Sequence, residues 1–316
     1  MKQDKKGIVT KSTGSWYEVS CADGSRLRCR LRGVFRIDEK RDKDSNPVAV
    51  GDRVTVTTEQ SPEEYLISHI EDRQNYIVRS SPKHKGARQV IASNLDQAVL
   101  VVTITQPRTS TGFIDRFLLT AEAYHIPVVI VFNKADLYKG KHEKRADEWI
   151  KSYEETGYSV LVTSVKTGAG TAAFKDLLHN RCSLIAGHSG VGKSSLINYI
   201  EPGLELRTGE LSVVHEKGMH TTTFAEMHFL QGGGSIIDTP GIKEFGITDF
   251  DPREIGHYFI EFRKWLQECR FHNCTHDREP DCAVRAAVER GEIWVERYIN
   301  YLNILTDYQE NFKHWE

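Results

Sequence analysis

A chain of 316 residues is long enough for two or three domains, each with its own core. Its 39% hydrophobic and 27% charged residues suit a soluble globular protein, and with no run of eighteen apolar residues it is not expected to span a membrane. The net charge of −2 hides an asymmetry: residues 1–90 hold 18 Lys and Arg against 13 Asp and Glu, while the rest is acidic, so an anionic partner such as nucleic acid is expected for the N-terminal third.

The first residues, MKQDKKGIVTK, lack the apolar core of a secretion signal. Six cysteines in a chain this long do not make a disulfide scaffold, so a reducing, cytoplasmic setting is expected. Short strands are predicted at Gly7–Lys11, Trp16–Cys21, Arg26–Arg32, Arg53–Thr57 and Tyr65–Glu71, separated by turn-rich stretches. Five strands at this spacing predict a small barrel of the OB type. In RLRCRLR, period two puts Arg26, Arg28, Arg30 and Arg32 on one face and Leu27, Cys29 and Leu31 on the other. The apolar face can close a barrel core, and the guanidinium stripe suits a phosphate backbone. Residues 72–93, with Ser80-Ser81-Pro82, Lys83, Lys85 and Arg88, read as a basic, flexible linker.

From about residue 95 apolar strands alternate with helix-length amphipathic segments. Strands are predicted at Gln97–Ile104, Val128–Phe132, Ser159–Thr163, Cys182–Ala186, Phe224–Phe229 and Ser235–Asp238. Helices are predicted at Ile114–His125, Glu143–Thr156, Thr171–His179 and Lys193–Ile200. Such alternation implies an α/β domain with a mostly parallel sheet. Helical patterns return after about residue 250, around a cluster of Cys and His.

Within the α/β region Asn133-Lys134-Ala135-Asp136 follows the strand VVIVF. The Asp136 carboxylate can accept from guanine N1–H and N2–H₂, a donor pair that adenine lacks. The Lys134 stem can pack on the base, and Asn133 can brace this loop against its neighbour. Ser164-Val165-Lys166, after SVLVT, stands where a loop could contact guanine O6. The segment Gly187-His188-Ser189-Gly190-Val191-Gly192-Lys193-Ser194-Ser195 then matches GxxxxGK[ST] between a strand, CSLIA, and a helix, SSLINYI. Small residues let successive backbone N–H groups converge on phosphate oxygens at a helix N-terminus. Lys193 is expected to reach the β- and γ-phosphates, and the Ser194 hydroxyl to ligate Mg²⁺.

Asp238-Thr-Pro-Gly241 follows the strand GSII. Asp238 is expected to hold Mg²⁺ through water, and the Gly241 N–H to sense the γ-phosphate. Between the two phosphate motifs lies Gly218-Met-His220-Thr221-Thr222-Thr223, a candidate first switch whose Thr222 is expected to complete the Mg²⁺ shell. Many GTPases place a glutamine directly after DxxG to orient the attacking water. Here Ile242 stands there, and His220 becomes the candidate water-positioning group beside Lys193 and Thr222 in the catalytic set. The guanine reader precedes the phosphate loop, the reverse of the ordinary order, as circular permutation of the domain would produce.

The last constellation runs from Cys269 through His272, Cys274 and His276 to Cys282, with the spacing C-x₄-C-x-H-x₅-C. Three cysteines and one of the two histidines would make a tetrahedral zinc site of structural type, with no open position. On chemistry alone His272 competes with His276.

Together these motifs resemble the ribosome small-subunit-dependent GTPase A (RsgA) family of circularly permuted GTPases, over essentially the whole chain. The resemblance rests on NKAD at 133–136, GHSGVGKSS at 187–195, GMHTTT at 218–223, DTPG at 238–241 and the cysteine cluster. It implies an OB-like, RNA-binding β-barrel over 1–72, a circularly permuted α/β P-loop GTPase domain over 73–248 and a mainly α zinc-binding module over 249–316. It also implies one structural zinc on Cys269, Cys274, His276 and Cys282, and Mg²⁺ with GTP. The implied activity is GTP hydrolysis stimulated by the small ribosomal subunit, late in that subunit's maturation. The partners expected are that subunit with its rRNA, and GTP or GDP; the chain is expected to be a cytoplasmic monomer without membrane contact. Met219 stands where a basic residue is expected.

Overall fold

The computed structural model describes residues 4–32, 47–58, 65–80, 88–206, 225–238 and 251–313. Strands β1 (Lys5–Ser12), β2 (Tyr17–Cys21), β3 (Arg26–Leu31), β4 (Arg53–Thr58) and β5 (Tyr65–Ile70) run in the order β1-β2-β3-β5-β4. Pairing of β4 back to β1 closes them into a barrel, with β3 and β5 parallel and the other neighbours antiparallel. Alternation governs the walls: Leu27 and Cys29 join Val9, Val19, Val56 and Ile67 in the core, while Arg26, Arg28 and Arg30 face outward. The Arg28 and Arg30 guanidinium carbons stand 4.3 and 4.2 Å from the centre of the Trp16 ring, so the basic stripe carries an aromatic base.

Most of the described part of the segment read as a linker is strand. Strands β6 (Tyr76–Ser80) and β7 (Arg88–Ser93) form an antiparallel hairpin that buries Ile77, Val78, Val90 and Ala92. Ser81, Pro82, Lys83 and Lys85, which suggested a flexible strip, fall within 81–87, outside the described residues. A buried ion pair fixes the hairpin to the barrel. Asp52, fully buried, accepts from Arg73 Nε (2.7 Å) and Nη2 (2.8 Å), from Ser93 Oγ (2.7 Å) and from the Ala49 N–H (2.8 Å).

The next segment alternates as expected. It runs β8 (Gln97–Val102), α1 (Thr111–Ala123), β9 (Val128–Phe132), α2 (Lys141–Thr156), β10 (Ser159–Val162), α3 (Thr171–Leu178), β11 (Cys182–Ala186), α4 (Lys193–Ile200), β12 (Glu226–Phe229) and β13 (Ser235–Asp238). The spatial order is β10-β9-β8-β11-β13-β12, parallel except for β12. Strands made before β11 add outward on one side of it, and strands made after it add on the other. The order therefore reverses at β11, the switch point where open α/β sheets bind ligands beyond their carboxyl ends. At the far edge one residue pair, Lys11 with Glu226, joins β1 to β12, so barrel and α/β sheet are continuous.

Residues 252–268 form short 3-10 segments, Pro252–Tyr258, Ile260–Phe262 and Leu266–Glu268, rather than regular α-helix. Two α-helices follow, α5 (Ala283–Glu289) and α6 (Val295–Lys313). Ile255, Phe259, Phe262, Val284 and Tyr301 make a core that also takes in Leu119 of α1. Where α6 crosses α1, Arg297 is 1% exposed. It donates to Asp115 Oδ1 (2.7 Å) and to both oxygens of Glu261 (2.5 and 3.0 Å), while Asn300 and Tyr153 also donate to Asp115. No described helix is long and apolar enough to cross a membrane.

Candidate functional site

Three loops at the carboxyl ends of β9, β10 and β11 converge. Gly187 leaves β11 at φ +136°, and a Cβ there would lie 2.1 Å from the Val101 carbonyl oxygen. The chain turns through His188, Ser189, Gly190 and Val191 into α4, whose first turn holds Lys193, Ser194 and Ser195. Lys193 Nζ folds back over the loop and donates to the carbonyls of Gly187 (2.7 Å) and His188 (2.9 Å). Burial lowers its pKa, against the opposing pull of Asp238. Asp238 ends β13, paired with Ile185 of β11 on one side and Glu226 of β12 on the other.

The NKAD loop clasps the phosphate loop from its side. Asn133 donates from Nδ2 to the Val191 carbonyl (2.8 Å) and accepts from Thr163 Oγ1 (3.0 Å). Gly192, at φ +98°, allows this: a Cβ there would sit 2.4 Å from Asn133 Nδ2. Lys134 donates to the carbonyls of Gly190 (2.7 Å) and Gln106 (2.5 Å). Burial lowers the Lys134 pKa, with Asp136 opposing. Asp136 is held from the next loop, accepting from Ser164 Oγ at 2.6 Å with Lys166 Nζ 4.0 Å away. Val165 is half-buried in the same turn. Asn133, Lys134, Asp136, Ser164, the loop 187–195 and Asp238 are thus brought together as expected. Met219, His220, Thr222, Gly241 and Ile242 lie outside the described residues.

Sequence reasoning missed three contributors. Tyr138 Oη donates to the Asn133 carbonyl (2.6 Å), and burial raises its pKa. Gln106 offers only its carbonyl, which no motif encodes. Phe113, at the start of α1, lies against the His188 ring with centroids 3.8 Å apart. Neither aromatic belongs to a recognisable pattern, since its role depends on a loop distant in sequence.

The second site is the C-terminal cluster. The ligand atoms of Cys269, Cys274, His276 and Cys282 all lie within 4.8 Å of one another. His276 Nδ1 is 3.4 Å from Cys282 Sγ and 3.6 Å from Cys269 Sγ, and those two sulfurs are 4.0 Å apart. A tetrahedral ion with metal–sulfur bonds of about 2.3 Å needs sulfur–sulfur edges of about 3.8 Å, so the cluster can hold a metal ion. Burial lowers the His276 pKa to about 4, leaving a neutral imidazole at physiological pH. His276 is buried within the cluster, whereas His272 is exposed and outside it.

Comparison with known proteins agrees with this geometry. The family model for the RsgA N-terminal domain matches residues 6–66, and that for the RsgA GTPase matches residues 70–248. A Bacteroides thetaiotaomicron protein named small ribosomal subunit biogenesis GTPase RsgA 2 is 50% identical, covering 96% of this chain and 97% of its own. A Christiangramia forsetii protein named small ribosomal subunit biogenesis GTPase RsgA is 47% identical, covering 98% of each. The crystal structure of YjeQ from Thermotoga maritima superposes with a TM-score of 0.78 at 37% identity, over 96% of this chain and 98% of that one. The structure of YloQ, described as a circularly permuted GTPase, gives a TM-score of 0.74 at 30% identity, over 98% and 96%.

Proposed function

This chain belongs to the RsgA family of circularly permuted GTPases, and from that footing we propose that it hydrolyses GTP in the cytoplasm as a late maturation factor of the small ribosomal subunit, stimulated by that subunit. The observation that carries this reading is the joining of a guanine-reading loop to a phosphate loop through Asn133 and Lys134. Asp136 reads guanine N1 and N2, and Ser164 and Val165 line the base's other edge. Backbone N–H groups from Gly187 to Ser195 cradle the phosphates. Lys193 releases the carbonyls it now caps and turns to the β- and γ-oxygens. Ser194, Thr222 and, through water, Asp238 would hold Mg²⁺, which would supply charge neutralisation of the phosphates. Gly241 reports the γ-phosphate. Cys269, Cys274, His276 and Cys282 hold one structural zinc; three thiolates and an imidazole are the donor set that ion prefers.

The test is GTP turnover with and without purified small subunits. Stimulation of tenfold or more, with no response to large subunits, is the expected result, and equal turnover in all three conditions would sink the proposal. His220→Ala extends it. If His220 positions the water, nucleotide affinity stays near normal while stimulated turnover falls about tenfold or more. Unchanged stimulated turnover would point to a group supplied by the subunit.

The proposed RNA face is the stripe of Arg26, Arg28, Arg30 and Arg32, supported by its exposure and by Trp16 beneath two of its members. Arginine over an aromatic ring offers both a phosphate clamp and a stacking platform. Replacing Arg28 and Arg30 together with alanine is expected to weaken co-sedimentation with the small subunit while GTP affinity holds. The loss should shrink as salt rises, because phosphate contacts act largely through counterion release. Wild-type co-sedimentation at low salt would remove the stripe from the interface.

A further inference from the structure

Three charged residues stand in a row across the seam between barrel and α/β sheet. Lys11 of β1 pairs with Glu226 of β12, and its Nζ lies 3.2 Å from Glu226 Oε2. On the other side of β12, Glu226 is the direct ladder partner of Asp238 on β13. Directly opposed residues in an antiparallel ladder share a face, with Cβ atoms about 4.5–5.5 Å apart. The order across three strands is therefore cation, carboxylate, carboxylate. Like charges directly opposed repel, so Glu226 without Lys11 would add negative charge beside Asp238.

We propose that Lys11 and Glu226 are positioning residues for the magnesium-bearing pocket: the barrel, through this pair, sets the charge felt by a divalent cation at Asp238. The proposal rests on reading Asp238 as a member of that cation's shell. With Lys11 seated, Glu226 and Lys11 cancel, and of these three charges only Asp238 acts on the cation. When a partner draws the barrel off β12, the Glu226 charge is released and the pocket gains affinity for its cation. Both side chains are partly exposed, at 35% and 42%, so water and salt screen the effect.

The experiment measures release of a fluorescent GDP analogue from the full chain against free Mg²⁺, which reads cation affinity without turnover. Lys11→Met leaves a net negative charge and is expected to lower the half-saturating Mg²⁺ concentration about two- to fivefold at low ionic strength. Glu226→Gln leaves a net positive charge and is expected to raise it by a similar factor. The double variant is neutral again and returns close to wild type. Both single-variant shifts fade near 1 M salt, where the Debye length is about 3 Å. Opposite shifts in the single variants with cancellation in the double are a charge signature that loss of packing would not give. Shifts of the same sign, or none in either single variant, overturn the proposal. Asp238→Asn runs alongside. If it leaves the Mg²⁺ dependence unchanged, the metal reading of Asp238 has failed and the proposal falls with it. If it shifts the dependence while Lys11→Met and Glu226→Gln do nothing, only the positioning role is lost.

Discussion

Replacing Arg297 with methionine is expected to destabilise the C-terminal module by about 3–5 kcal/mol, the scale for breaking a buried ion pair from one side. The guanidinium is 1% exposed and bridges Asp115, fully buried on α1, to Glu261 in the module. Burial pushes the Asp115 carboxyl up from its ordinary value, and the Arg297 guanidinium pulls it back toward the ionised form. Methionine fills the volume but leaves Asp115 and Glu261 in a dry seam without their cation and its hydrogen bonds. Arg297→Lys should fall in between: one ammonium cannot donate side-on to Glu261 and reach Asp115 as well. Urea unfolding followed by tryptophan fluorescence measures the effect, since Trp294 packs edge-on against Tyr153 at this seam with ring centroids 5.5 Å apart. Neutralising the orphans, with Asp115→Asn and Glu261→Gln added to Arg297→Met, should recover much of the loss. A drop below about 1 kcal/mol for Arg297→Met would mean that the seam is wet and the network contributes little.

The second large effect concerns nucleotide choice. Asp136→Asn is expected to weaken GTP binding about a hundredfold or more, because two hydrogen bonds to a charged acceptor are lost at about 1.5–3 kcal/mol each. An amide there turns a donor toward guanine N1–H. Xanthine presents an oxygen at position 2 instead, so xanthosine triphosphate should become the preferred ligand. The Ser164 hydroxyl, 2.6 Å from Asp136 Oδ1, keeps the side chain aimed in either variant. Competition between the two triphosphates is the measurement. Unchanged GTP affinity would show that Asp136 does not read the base.

Most of the architecture was legible because it is periodic. The barrel strands fell within two residues of their predicted ends, since alternation such as that of Arg26–Leu31 encodes both face and length. The strand–loop–helix settings of NKAD and of the phosphate loop were readable for the same reason. The β6–β7 hairpin was not: its strands are five and six residues long, and the polar, basic sequence between them dominated the local composition. The 3-10 segments at 252–268 escaped as well, because short apolar clusters look alike at period 3 and 3.6. Arg297 reads as one more solvated cation on a helix; its partners lie 36 and 182 residues away, and no local signal marks them. The histidine ambiguity had the same character. Spacing alone allows His272, and burial admits His276.

The strand order also has a consequence for synthesis. Translation delivers the barrel first, then β8, β9 and β10, which are mutual neighbours and can pair as they emerge. The phosphate-loop strand comes later, and β12 later still, so the guanine-reading half of the pocket is made well before the half that grips phosphate. A nascent chain therefore cannot use nucleotide as a folding template until the sheet is nearly complete. The contact between Lys11 and Glu226 spans 215 residues. Strand β1 must wait within its barrel for nearly the last strand of the sheet. Contacts of such separation form slowly, so docking of the barrel on the sheet waits until β12 has been made.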